Sequence, residues 1–160
     1  MRRFSPVELG IGVALVGAIC AVAIPAFVRE LHASRFVEPT DGLSRIGTNA
    51  VSWAEANGRF PDSAPLTPST PPRGKKQADP PGTWDGPTWK ALSFRPAPEG
   101  VPHAYSFSFD APQPGEGFVA QAKGDLDGDG LASTFEIKGA IRPGEQPQIV
   151  PGMYVESELE

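Results

Sequence analysis

The chain has 160 residues and a net charge of −5, and its 19 prolines and 18 glycines stand well above ordinary usage, which excludes an architecture made mostly of long regular elements. Residues 99–160 hold eleven Asp or Glu against three Lys or Arg, whereas the first 98 hold eight against eleven; that split argues against a nucleic-acid partner and for a cation near the carboxyl terminus. Cys20 is the single cysteine, so no internal disulfide is available.

The first predicted element is the uncharged run from Leu9 to Val28, which at about 1.5 Å per residue makes a helix of roughly 30 Å, enough to cross a bilayer's hydrocarbon core. Leu9, Ile11, Val13, Leu15, Val16, Ile19, Val22, Ile24 and Phe27 place apolar surface all round, unlike a soluble amphipathic helix. Gly10, Gly12, Ala14, Gly17, Ala18 and Ala21 would let sister helices approach closely. A secretory signal peptide is the competing reading, but its apolar region is shorter, and here Ala21-Val22-Ala23 sits inside the run instead of after it. Ile19, immediately before Cys20, is bulkier than a lipidation site allows. Arg2 and Arg3 favour a cytoplasmic amino terminus. Glu8, at the lip of the run, is either an interfacial carboxylate among lipid headgroups or a group that requires a positive partner.

Phe4, Glu8 four residues on, the apolar helix and Pro25 together resemble the amino-terminal signature of type IV pilins and type II secretion pseudopilins. The resemblance covers about 25 residues. It implies cleavage between Arg3 and Phe4 by a prepilin peptidase, methylation of Phe4, an assembly role for Glu8 against the amine of a neighbouring subunit, and a helix kink at Pro25. It also implies self-association or association with other pilin-like subunits, through inner-membrane assembly machinery. Where that family has Gly before the cut, this chain has Arg3, and Ser5-Pro6-Val7 stands in place of the usual Thr-Leu-Ile.

Residues 1–3 are thus read as a short leader and 4–57 as one long helix, with 4–28 in the membrane or a filament core. The helix is expected to bend or break briefly near Pro39, with Thr40 or Asp41 capping a restart. Leu43, Ile46, Ala50, Trp53 and Ala54 then recur at helical spacing, and Gly58 marks the stop. Residues 58–102 contain eleven prolines and read as a long loop, because Pro removes a backbone donor and breaks helices. Residues 63–80 are expected to be mobile and 83–95 packed. Trp84 and Trp89 there favour core packing over carbohydrate stacking.

Residues 103–160 read as an antiparallel sheet: Ala104 to Asp110 alternates with period two, Phe118 to Ala122 is its return, and Ser133 to Lys138 is a third strand. The tail from Gln148 is an edge strand or a loose acidic end. The expected fold is therefore α+β, a pilin-like long helix packed on three to four antiparallel strands.

Asp125, Asp127, Asp129, Gly130 and Glu136 fit the calcium-loop pattern of acids at positions one, three and five, Gly at six and Glu at twelve. The Leu131 carbonyl and Ser133 are further oxygen donors. Three close acids repel one another without a cation, although Asp and Gly also suit a solvated hairpin turn for backbone reasons alone. A structural calcium ion is the expected cofactor. Against an EF-hand, the flanks read as strands, which makes Glu136 the weakest ligand. No catalytic constellation is visible: His32 and His103 are isolated, and no second cysteine or phosphate-cradling glycine motif is present, so no enzymatic activity is expected.

The functional expectation is a structural subunit that leaves the inner membrane for a helical filament. It would span the membrane once, with its amino terminus in the cytoplasm and its domain in the periplasm. The alternative is a permanently tethered, calcium-dependent binding module outside the cytoplasm.

Overall fold

The computed structural model describes residues 5–142 and 144–157, without the side chains of 9 and 28–35. The chain divides into two units, residues 1–36 and 37–160. The helix α1 spans Pro6–Asn57 and contributes to both.

In the first unit, α1 contains Pro6–Phe27, a 22-residue stretch long and apolar enough to cross a membrane or to serve as a signal sequence. Val7, Ile11, Val13, Leu15, Val16, Ile19, Val22, Ile24 and Phe27 are all exposed. Pro6 occupies the first helical position, where its missing N–H costs no intrahelical bond. Pro25 lies within the helix and is exposed. Arg3 and Phe4 lie outside the described residues.

The second unit is an α+β domain whose five strands run in the order β1-β2-β3-β4-β5, every neighbour antiparallel. They are β1, Ala64–Thr67; β2, Ser106–Asp110; β3, Gly117–Gly124; β4, Ser133–Ala140; and β5, Gln148–Glu156. Period-two patterning decides which side is dry: Phe107 and Phe109, then Phe118, Ala120 and Ala122, then Phe135 and Ile137 are buried on one face, as alternation along a pleated strand dictates.

That face meets the apolar stripe of α1, in which Leu43, Ile46, Ala50 and Ala54 are essentially inaccessible to water. Each buried large side chain contributes roughly 1.5–3 kcal/mol. Trp53 is only half-buried. Close approach depends on small residues opposite large ones: a Cβ on Gly42 would strike the ring of Phe107, and one on Gly47 would lie 2.9 Å from the Cδ1 atoms of both Ile137 and Ile149. The helix stops where Gly58 takes φ +71° and donates its N–H to the Ala54 carbonyl at 2.8 Å, the left-handed closure that glycine permits.

Two features sharpen the sequence expectation. Of the bend or brief break expected near Pro39, the break does not occur: α1 runs through Pro39 from Pro6 to Asn57, Pro39 is fully buried, and Thr40, which donates its hydroxyl to the Val37 carbonyl at 3.2 Å, caps no restart. The sheet has five strands, close to the three to four expected: the tail takes the edge-strand form as β5, and the addition is β1, which arises within the Pro-rich segment expected to be mobile. Both are edge strands, where Pro65 and Pro151 need not supply ladder hydrogen bonds.

Residues 83–95 are packed as expected. The short helix α2, Pro87–Ala91, carries the buried Trp89, whose ring centroid is 5.1 Å from that of Trp84. Phe94 packs 5.0 Å from Phe107. Asn49 of α1 donates to the Leu92 carbonyl at 2.7 Å, and the Arg45 guanidinium lies 5.3 Å above the Phe94 ring. The two tryptophans are core residues, since both are more than nine-tenths buried.

Candidate functional site

The turn between β3 and β4 is where the chain concentrates charge. Gly128 and Gly130, with φ of +84° and +99°, let the backbone reverse tightly enough to gather consecutive acids. Asp125 is buried and its carboxylate organises the turn: Oδ1 accepts the Gly128 N–H at 2.8 Å and Oδ2 accepts the Gly130 N–H at 3.1 Å. Oδ1 of Asp127 accepts the Asp129 N–H at 3.1 Å, and Oδ1 of Asp129 accepts the Leu131 N–H at 2.7 Å.

One carboxylate oxygen from each of Asp125, Asp127 and Asp129 lies within 4.8 Å of the others. Oxygens about 2.3–2.6 Å from a shared calcium ion can stand that far apart, so these three acids fit a single hard cation. Each accepting oxygen also keeps a further lone pair beyond its N–H bond.

The other predicted ligands are placed differently. Leu131 is exposed and follows the cluster with its N–H committed to Asp129. Ser133 is buried and donates its hydroxyl to the Gly124 carbonyl at 3.1 Å. The structure does not bring Glu136 into the cluster. It faces the opposite side of β4 from Phe135 and Ile137, in register with Gln121 and Tyr154. Its Oε2 accepts from Gln121 at 2.8 Å and its Oε1 pairs with Lys138 at 3.1 Å. The Gln121 hydrogen bond, helped by Lys138 and opposed by burial, holds its carboxyl below the usual range. Strand geometry is the reason: an EF-hand's twelfth position curls inward on a helix, whereas here it stands on the sheet's outer face.

A protein cation also reaches the loop. Nε of Arg73 lies 3.7 Å from Oδ2 of Asp125, and Gly74 donates its N–H to the Asp125 carbonyl at 2.8 Å.

At the amino terminus, the Ser5 N–H donates to Oε2 of Glu8 at 2.8 Å, and the Glu8 N–H donates to Oγ of Ser5 at 3.2 Å. This reciprocal pair is a capping box. The sequence carries its local signal, a Ser followed three residues later by Glu ahead of an apolar run.

His103, isolated along the sequence, has a buried partner in the fold. Its Nε2 lies 2.7 Å from Oδ2 of Asp79, which also accepts the Trp84 indole N–H at 2.6 Å. Both ring nitrogens are engaged, the other with the Tyr105 carbonyl at 2.9 Å, which leaves neither available as a base for a substrate.

Comparisons with protein-family models, with curated proteins and with solved structures find no match for this chain.

Proposed function

We propose that this chain is a pilin-like structural subunit, held in the inner membrane as a precursor and assembled into a helical filament of the type IV pilus or secretion-pseudopilus kind. The observation that carries the reading is that α1 supplies two surfaces from one helix. Its first half is an exposed apolar span headed by Glu8, and its second half is the spine beneath an antiparallel sheet. Fibre assembly uses the first as a filament core and the second to display a folded domain. The partners are sister or other pilin-like subunits, a prepilin peptidase acting between Arg3 and Phe4, and inner-membrane assembly machinery. The domain lies in the periplasm before assembly, and the chain performs no catalysis.

In this reading Asp125, Asp127 and Asp129 hold a structural calcium ion that fixes the β3–β4 turn. The neutralising charge would relieve repulsion among the three carboxylates.

The decisive experiment uses Glu8→Gln. Glutamine at the third helical position still closes a capping box, so the helix start is retained while the charge is lost. Filament incorporation should fall at least tenfold in Glu8→Gln and remain in Ser5→Ala, and mass spectrometry of the native protein should find a chain starting at Phe4 with a methylated amine. Full incorporation of Glu8→Gln would remove the assembly role.

Arg3 favours a second reading, a tethered extracytoplasmic binding module whose helix is never released. Under that reading the native amino terminus is Met1 or Arg2.

A further inference from the structure

Edge strands are where a sheet can meet another chain, because they carry its unpaired backbone groups. The order β1-β2-β3-β4-β5 makes β1 and β5 the two edges, and four antiparallel steps between them leave both running in the same direction. One row of partners crosses the sheet from Thr67 through Phe107, Ala122 and Phe135 to Val155. The carboxyl ends of β1 and β5 therefore lie level on opposite edges, roughly 19 Å apart at about 4.8 Å per step.

The chemistry beyond the two ends is opposite. After β1, the chain folds into an open cleft of about 490 Å3 whose walls include Pro68, Pro71, Pro72, Arg73 and Gln77. Bridges from Arg73 to Asp125 and from Gln77 to His103 hold this segment at the same end of the sheet as Val155. Arg73 lies 3.7 Å from Asp125 and Lys76 lies 3.5 Å from Glu38, whereas the exposed Lys75 makes no ion pair among the described residues. At the end of β5, Tyr154 is 57% exposed. Glu156 is exposed and likewise makes no ion pair among the described residues, and Glu158 and Glu160 follow it in sequence.

Proline rings and aromatic rings are matching apolar surfaces, and Lys75 and Glu156 are matching charges. Within one chain these groups do not meet, since pairing with Glu136 and Thr134 holds Tyr154 and Glu156 on the far edge of the sheet. We propose that the cleft formed by residues 68–77 receives the end of β5 from a second copy of this chain, with Tyr154 seated on Pro68 and Pro71 and Glu156 opposite Lys75.

Because the two edges run in the same direction, this contact joins copies side by side in one orientation. Each copy keeps a free edge for the next, which makes the interface heterologous and extendable. Pairing β5 with β5 instead needs a half-turn about the sheet normal, which reverses the spine of α1 in one copy. The contact goes beyond the filament reading, since it requires neither cleavage after Arg3 nor the charge of Glu8.

Disulfide trapping of full chains in native membranes tests it. On a Cys20→Ala background, one chain carries Ser69→Cys, on the cleft wall, and a co-expressed chain carries Ser157→Cys, beside Glu156. The pair should form a disulfide-linked dimer that neither chain forms alone. Tyr154→Ala in the Ser157→Cys chain should lower the yield about fivefold, as should Lys75→Glu in the Ser69→Cys chain. Adding Glu156→Lys opposite Lys75→Glu should restore it. Tyr154 and Lys75 are exposed, so the fold should survive both changes, as tryptophan fluorescence checks. Glu8→Gln should leave the yield unchanged, which separates this contact from filament assembly. A dimer of the Ser157→Cys chain alone, absence of the mixed dimer in folded chains, an unchanged yield in Tyr154→Ala, loss of the dimer in Glu8→Gln, or failure of the charge exchange to restore it would each overturn the proposal.

Discussion

Oε1 of Glu38 accepts the backbone N–H of Tyr105 at 3.0 Å, and that of Ala104 at 2.7 Å, where the chain turns into β2. One carboxylate thus ties α1 to the first long strand and satisfies two partly buried donors. Glu38→Ala orphans both at about 1–3 kcal/mol each, and unfolding followed by tryptophan fluorescence should show a loss of about 2–4 kcal/mol. Glu38→Gln retains an acceptor and should lose about 1 kcal/mol.

Gly42 separates helix propensity from packing. Alanine is worth about 1 kcal/mol more than glycine inside a helix, yet its Cβ would meet the ring of Phe107, which is fully buried. Overpacking costs about 1–3 kcal/mol. Gly42→Ala should therefore destabilise the domain despite the better helix former, and a raised melting temperature would contradict this account of the interface.

Glu136 gives a pH dependence with a definite sign. Its carboxyl is held below the ordinary value of 4.5 chiefly by the Gln121 hydrogen bond, so the folded state favours the charged form. The stability from this pair is fully present above that ordinary value and is lost as pH falls through the lower folded one. Gln121→Met should cost about 1 kcal/mol at neutral pH, a figure reduced for partial exposure. The gap between variant and wild type should close in acid urea titrations.

Calcium addition tests the acidic turn. An ion bound only by the folded chain stabilises it by about 2.7 kcal/mol at one hundred times its dissociation constant. The melting temperature should rise with calcium, and Asp127→Asn should remove most of the shift. Glu136→Gln should leave it intact, since Glu136 pairs with Gln121 and Lys138. A calcium response abolished by Glu136→Gln would show that the loop closes differently from this geometry.

The sequence by itself determined the elements whose signal is local. Unbroken apolarity marked the span within α1, helical spacing marked Leu43 to Ala54, and period-two alternation marked β2, β3 and β4. The clustering of Asp125, Asp127 and Asp129 was equally legible, because two glycines and three acids within six residues fix a turn without outside help.

Only the tertiary structure decided the rest. Strand β1 carries a proline and gains its identity from pairing with β2, and β5 is a strand because β4 offers it an edge. Glu136 has a calcium-loop spacing, but strand alternation turns it to the outer face and toward Gln121. The partnerships of Asp79 with His103 and of Glu38 with Tyr105 join residues 24 and 67 positions apart. No local propensity encodes such pairs, since burial against distant chain is what makes the contact favourable.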